Sequence, residues 1–589
     1  MSLTATSTRA SRAVLKSLKY GFILQRRSLS TSPAADVEDR DIVIVGGGPA
    51  GLALASALGS SSSVRHNASI TLVEGGDLTK IKNWIPASGT YSNRVVSLTN
   101  ASQAFLKDIG AWDHVEEART CPVERMEVDY IAFYPFHCTD IPPQVWDGVS
   151  DARIEFSAAD VSSGIASPGM ARLTENFNLQ RGLLDHLSTI PEVQILQQTK
   201  VASIVPDSED RGGWPLIHLD NNKVIRARLL VGADGFNSPV RTYSKIPAFG
   251  WAYDTQAIVA TLDHAPRGAY EGPNTTAYQR FLTTGPIAFL PLSPTSSTLV
   301  WSTRPALAKA LLASDPEVLS TMINAAFRLP HVSMQYLHRR ISESHSRGTP
   351  LSPNEIREEI KWREETHGID QTSAYASSVI RSNILGIPPS DSESVPPLVT
   401  QIQAGTAASF PIRFNHAESY IGEGSRSRTV LVGDAAHTIH PLAGQGLNLG
   451  LGDVECLARV IKDSLQSGGD IGSYTSLLPY TQERYLANHT VMSACDKLHK
   501  LYSTDSDPIV WARSVGLEVL NELDSVKAGL MISAGSQATK KTRPGSTTWG
   551  LAGDAVQMVS STVRTASMLT GVLGGAIGSA LNNMTSKRP

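Results

Sequence analysis

GDAAHTIHPLAGQGLNLGLGD, Gly433 to Asp453, is the stretch on which the fold turns. Asp434 stands where an apolar run gives out, so the sequence places an acid at a strand end. A turn containing Pro441 follows, then a glycine-rich turn at Gly444, Gln445 and Gly446. Beyond it LNLGLGDVECLARVI carries apolar residues at helical spacing. A strand, a glycine turn and a helix in that order offer main-chain N–H groups and a positive helix end to an anion.

Two fragments upstream extend this reading. IVIVGGGPAGLALASAL starts at Ile42. It predicts a strand over Asp41–Val45, a GGGPAG turn and a helix to about Leu58. A polar loop and a second strand, Ser69–Glu74, complete a β-α-β nucleotide unit. Gly46, Gly48 and Gly51 remove side chains where backbone must approach a pyrophosphate. Glu74 lies 23 residues beyond Gly51, against a usual spacing of ~20, and the Ser-rich loop accounts for the excess. It is placed to accept hydrogen bonds from ribose hydroxyls. Alone, this motif suits NAD as well as FAD. The second fragment, LLVGADGFNSPVR, sets Asp234 and Gly235 just after an apolar strand; an isolated Asp-Gly is also an ordinary surface turn.

From about Gln256 the pattern becomes short β runs separated by Pro, Gly and Ser, which predicts an antiparallel sheet. The expected fold is therefore α/β: a Rossmann-like nucleotide-binding domain with an inserted antiparallel β-sheet substrate domain and a helical C-terminal region. The divisions are 37–245 and 405–470 for the nucleotide domain and 246–404 for the substrate domain. A polar insertion occupies about 342–397, in which NEIREEIKWREE reads as one exposed helix. Helix continues over 471–548, and a basic apolar tail fills 549–589.

Residues 1–35 contain six basic residues, many Ser and Thr, and no acid before Asp36, the composition of a mitochondrial transit peptide. A disordered basic tail is the alternative. Removing this segment takes the formal net charge from −3 to −9, a poor basis for binding nucleic acid. Cys121, Cys138, Cys456 and Cys495 have no CxxC spacing, so neither a disulfide framework nor a zinc site is expected. His437 and His440 are spaced i, i+3 in a loop without a carboxylate partner, and no metal is assigned to them. Ala566–Leu581 is too short for the ~18 or more apolar residues of a spanning helix. With its basic flanks it suits either an anionic membrane surface or a loosely docked terminus.

Taken together, the motifs resemble those of single-component FAD-dependent aromatic hydroxylases. YQRFLTTGPIAFLPL, LVWSTR, SFPIRFNHAESYI and KLHKLYSTDSDPIVWARSVGLEVLNELDSVKAGLM narrow the resemblance to the flavin-dependent monooxygenases of ubiquinone (coenzyme Q) biosynthesis, of the mitochondrial ring C5-hydroxylase type. The likeness covers about Asp41 to Ala534 apart from the polar insertion. It implies FAD as cofactor, with Asp434 on the ribityl chain. Pro441, Gly444, Gln445, Gly446, Leu447 and Asn448 would bring main chain to the flavin edge and pyrophosphate. A helix start aimed at that edge favours reduction, because negative charge develops there. Asp234 and Gly235 would lie near the pyrophosphate, Arg94 would contact FAD through its guanidinium, and Asn176 would lie near the ribose. No side chain is assigned as catalytic, since a flavin hydroperoxide would carry the chemistry.

The resemblance further implies a polyprenylated aromatic substrate, O2, and electrons from ferredoxin and its reductase. It implies association with other ubiquinone-biosynthesis proteins and a peripheral place on the matrix side of the mitochondrial inner membrane. A kynurenine-type hydroxylase of a small aromatic substrate and a non-catalytic prenyl-binding escort are the rival readings.

Overall fold

Val37–Val45 forms the first strand, and its last four residues are enclosed because parallel neighbours flank it on both sides. Ile70–Val73 lies on one side and Val224–Gly232 on the other. The computed structural model describes residues 37–133, 149–157, 169–207, 213–268, 270–377 and 388–503. The transit peptide, the basic tail and the predicted helix beyond Ser503 lie outside them.

The nucleotide sheet runs in the order Val193–Leu196, Ile70–Val73, Val37–Val45, Val224–Gly232, then the antiparallel strands Pro215–Leu219 and Val201–Pro206. Thr429–Leu431, directly before the decisive stretch, pairs in parallel with Leu230–Gly232. This single pairing brings a segment about 200 residues distant in the chain to the end of the first strand. Helix Pro49–Ser60 starts with Pro at N1, where a missing N–H costs nothing. Its buried Ala53, Ala55 and Ala57 let it sit closely between the sheet and helices Asn176–Ser188 and Gly446–Gln466.

The second sheet is built around the 17-residue strand Ala248–His264. Ser296–Thr303, Gly285–Pro291 and Thr276–Leu282 follow in antiparallel order. Two differences from the linear division appear. Arg125–Phe133 joins the sheet in parallel with Thr276–Phe281 and carries Val149–Ser157 beside it. On the other flank, Ala408–Ala417 pairs with Ala248–His264. These strands come from stretches that the sequence had divided off with the nucleotide domain.

Helices Pro305–Ala313, Pro316–Arg328, His331–Ser346 and Pro353–Thr366 cover this sheet, sharing a core with Ile258, Phe289 and Trp301. The polar insertion is thus half built into the core. Ser352 and Glu355 form a capping box that starts the last of these helices. Ile356, Ile360 and Glu364 are its buried face. Arg328 fastens the segment by donating to the carbonyls of Ala374 (3.1 Å) and Pro396 (2.5 Å). Burial pushes the Arg328 guanidinium down to about 10, although Glu364 opposes this. Among the described residues no helix is long and apolar enough to cross a membrane.

Candidate cofactor site

The first glycine turn shows which glycines the fold needs and which face open space. Gly46 has φ +109°, and a Cβ there would lie 2.3 Å from the Ala233 carbonyl oxygen. A Cβ on Gly51 would lie 1.9 Å from the Gly46 oxygen. Both are required for the chain to close against itself, and Gly46 places the first fragment against Ala233–Asp234 of the second. Gly48 and Gly235 face open space: a Cβ on either meets nothing within 4 Å, although φ +79° at Gly235 still calls for glycine. Helix Pro49–Ser60 makes its first backbone bond from Leu52 N to Gly48 O. The N–H groups of Ala50 and Gly51 therefore end the helix with no acceptor among the described residues. An open glycine edge before free helix donors is a cradle for a pyrophosphate.

Glu74 closes one end of this groove. Its carboxylate accepts from Gly47 N at 2.5 Å and Gly76 N at 2.6 Å. Asn176 begins helix Asn176–Ser188, and its N–H donates to the Arg94 carbonyl at 2.9 Å. One turn later Gln180 Nε2 donates to Gly47 O. Arg94, Asn176, Gly47 and Glu74 are thus joined in one strip. The Arg94 side chain is exposed and has no partner among the described residues, and Asn176 Oδ1 is buried without one. Each retains bonding capacity for a ligand.

The Arg94 segment is held from below by an ion pair that the sequence reading did not identify. Glu175 is fully buried and accepts from Arg119 Nε at 2.7 Å and Ser92 N at 2.5 Å. Arg119 also lies over the Tyr91 ring, 4.5 Å from its centroid. No local spacing signals this pair, because its partners are 56 residues apart.

Asp234 sits at the end of the second fragment. Its Oδ2 accepts from Val240 N at 3.1 Å, and its Oδ1 is buried without a partner. Burial raises its pKa, against hydrogen bonds from Ser238 and Val240.

The third fragment closes the groove. Gly433 has φ +59° and lies against Ala50 Cβ, while Gly450 packs on the Gly433 Cα. Asp434 is therefore next to the start of the first helix. Its side chain is accessible from the groove and makes no hydrogen bond within the described residues. Protein atoms crowd its other sides, and this desolvation raises its pKa against the pull of His437. Pro441–Ala443 is a short 3-10 turn, ending at Gly444 with φ +60°. A Cβ on Gly444 would touch Ser97 Cβ at 3.4 Å.

Gln445 precedes helix Gly446–Gln466, whose first-turn N–H groups at Gly446, Leu447 and Asn448 have no acceptor among the described residues. The Asn448 side chain is engaged in the fold: it donates to Ser97 O at 2.7 Å and accepts from Thr99 N at 3.0 Å. Only its main chain remains for a ligand.

Asp453 locks this arrangement. It is fully buried and accepts from Gly433 N (3.1 Å), His437 Nε2 (2.6 Å), Arg484 Nε (2.9 Å) and Asn488 Nδ2 (2.8 Å). Burial alone would raise its pKa; His437, Arg484 and Asn488 outweigh that and hold the carboxyl below the usual range. The spacing of His437 and His440 thus serves other ends. His437 faces Asp453, and His440 Nδ1 accepts from Leu442 N at 3.1 Å, capping the turn. Cys121, Cys456 and Cys495 are free and buried, and burial pushes them to about 11, 12 and 11. Cys138 lies outside the described residues.

These residues fit FAD: two glycine turns with free donors, an unpartnered acid between them, and a carboxylate at the far end. The chain matches the FAD binding domain family over residues 39–349 and 395–494. It is 36% identical over 508 residues to the ubiquinone biosynthesis monooxygenase COQ6, mitochondrial, of Saccharomyces cerevisiae, covering 85% of this chain and 95% of the yeast protein. The human protein of the same name is 33% identical over 504 residues, 84% and 92% of the two chains. Among solved structures, p-nitrophenol 4-monooxygenase PnpA from Pseudomonas putida DLL-E4 shares the fold. Its TM-score is 0.53 at 16% identity, covering 86% of this chain and 100% of PnpA. PqsL of P. aeruginosa in complex with 2-aminobenzoylacetate gives 0.52 at 18%, covering 81% and 100%. With the groove and these relatives in agreement, the chain belongs to the FAD-dependent monooxygenases of ubiquinone biosynthesis.

Proposed function

We propose that the protein hydroxylates the aromatic ring, at C5, of a polyprenylated benzoate-derived intermediate. It does so on the matrix side of the mitochondrial inner membrane as a peripheral protein. The single observation that carries this is the contact of Gly433, beside Asp434, with Ala50 at the first glycine turn, in a chain 36% identical to the yeast COQ6 protein over 95% of that protein's length. The relatives' names include "mitochondrial", which supports the address read from residues 1–35.

Bound FAD, once reduced, supplies the activation of O2. The net reaction consumes O2, two electrons and two protons, and turns a ring C–H into C–OH with release of water. The chain's own residues bind and orient. Ala50 and Gly51 N–H groups bind the pyrophosphate, and Glu74 accepts from the adenosine ribose. Asp434 accepts from the ribityl hydroxyls. The start of helix Gly446–Gln466 directs positive potential at the flavin edge that gains charge. The prenyl tail favours a membrane-side station, since each buried CH₂ is worth ~0.8 kcal/mol. Ferredoxin and its reductase are the proposed electron source.

The test is the quinone pool of mitochondria lacking the protein. A precursor without the C5 hydroxyl should accumulate, and restoring the chain should clear it. A normal pool would overturn the pathway assignment.

A further inference from the structure

Between the second strand and Arg94, residues 84–91 form a loop whose two ends are fixed and whose middle stands in solvent. Trp84 is one end. Arg181 Nη1 donates to its carbonyl at 3.1 Å. The Arg119 and Arg181 guanidiniums lie 5.2 and 5.5 Å from its ring centroid, and the Phe177 ring packs beside it at 5.7 Å. At the other end Arg119 Nη2 donates to the Thr90 carbonyl at 2.8 Å. Tyr91 N donates to Gln403 Oε1 at 2.9 Å. Between these anchors Ile85 is 88% exposed, more than any other large apolar side chain among the described residues. An isoleucine held in water gains by burial, so an outside apolar phase is its complement.

The surroundings are basic. Residues 78–95 contain Lys80, Lys82 and Arg94 and no acid. Lys80 and Lys82, in the short helix Thr79–Lys82, are exposed and make no ion pair among the described residues. The neighbouring acids are engaged: Glu116 pairs with Arg181, Glu175 with Arg119, and Asp77 accepts from Thr79 N. Uncompensated ammonium groups beside an apolar tip match the boundary of an anionic bilayer, where acyl chains and phosphates lie within a few ångströms of each other. A tryptophan at the base of the tip suits the headgroup level. A protein partner would ask for a broad face of roughly 800 Å², and one projecting side chain offers little of that.

We propose that Ile85, seated on Trp84 and flanked by Lys80 and Lys82, inserts into an anionic lipid surface. The proposal rests on the peripheral-membrane reading and gives it a place on the molecule. The same loop runs on into Arg94 at the cofactor groove, so its insertion brings that groove to the bilayer.

The test is flotation of the FAD-loaded full chain with vesicles. One set is phosphatidylcholine alone; the other is equal parts phosphatidylcholine and phosphatidylglycerol. The wild type should favour the anionic set. Ile85→Ser should lower that binding about tenfold or more. Replacing Lys80 and Lys82 together by Ala should lower it about fivefold per charge. All three side chains are exposed, so FAD content and melting temperature should match the wild type in every variant. A wild type that floats with neither set would overturn both this proposal and the peripheral reading. Wild-type flotation in Ile85→Ser would overturn the proposal and leave the peripheral reading standing. Wild-type flotation in that variant with slowed turnover from ferredoxin and its reductase would assign the tip to a protein partner, and so overturn it too.

Discussion

Gly48→Val separates the fold from the cofactor site. Gly48 has φ −71° and ψ 177°, a conformation open to any residue, and its Cβ direction is empty to 4 Å. Replacing Gly at this N-cap position costs about 0.5–1 kcal/mol, and the smaller unfolded ensemble returns about 0.4–1 kcal/mol. The apoprotein should therefore melt within about 2 °C of wild type. The ligand sees a different surface. The valine methyls occupy the space before the Ala50 and Gly51 N–H groups, and two charge-assisted hydrogen bonds at about 1.5–3 kcal/mol each are lost. FAD affinity should fall about 10²- to 10⁴-fold. Flavin titration against apoprotein measures this, and differential scanning calorimetry measures the melting. Gly51→Ala is the contrasting control: its Cβ has 1.9 Å to the Gly46 oxygen, and it should fail to accumulate folded. Wild-type FAD affinity in Gly48→Val would refute the placement of the pyrophosphate; a collapsed apoprotein would refute the claim that this glycine faces open space.

Asp434→Ala removes an acid with no hydrogen-bond partner among the described residues, so apoprotein stability should hold while FAD affinity weakens by about 1.5–3 kcal/mol, read by the same titration. Asp453→Asn breaks a fully buried ion cluster and should cost about 3–5 kcal/mol in chemical unfolding. Because the folded state depresses the Asp453 pKa, its contribution is complete above the unfolded value of about 3.9 and fades as pH falls further. The stability gap between wild type and Asp453→Asn should therefore narrow below about pH 4. Glu175→Gln should cost about 3–5 kcal/mol by stranding buried Arg119. It should also lower FAD affinity by releasing the Ser92–Arg94 segment, seen in paired unfolding and flavin titrations.

The nucleotide unit was legible because its signals are local. Val45, Gly46 and Pro49 each occupy a position whose backbone role is set within a few residues. The relation between fragments was not legible. Gly46 meets Ala233 and Gly433 meets Ala50 only after Thr429–Leu431 has paired with Leu230–Gly232, a contact no periodicity encodes. The same limit hid Glu175–Arg119 and Asp453–Arg484, whose partners stand 56 and 31 residues apart. Asp453 was in view as the last residue of the decisive stretch, but a charge on an apolar helix gives no clue to its partners. In the insertion, the helix at Pro353–Thr366 was readable from its composition. Its buried face was not, since three contacts at Ile356, Ile360 and Glu364 are too few to mark against so many charges.

Asp453 also explains how the groove is held in shape by the chain's own groups. Its Oδ2 holds the Gly433 N–H, and its Oδ1 holds Arg484 and Asn488 on the following helix. The backbone preceding Asp434 is thus fixed by helix Gly446–Gln466, the same helix whose N-terminus faces the proposed flavin edge. Asn448 adds a second tie, from that helix to Ser97 and Thr99. Acid, helix start and the strand after Arg94 are thus tied to one another by hydrogen bonds. Little ordering is left to do when FAD arrives, so its hydrogen bonds go into affinity rather than into assembling the site. The buried ionic cluster is a costly way to stabilise a core, since apolar residues would serve as well or better. What an apolar core cannot do is aim the Gly433 peptide, and with it Asp434, at a ligand.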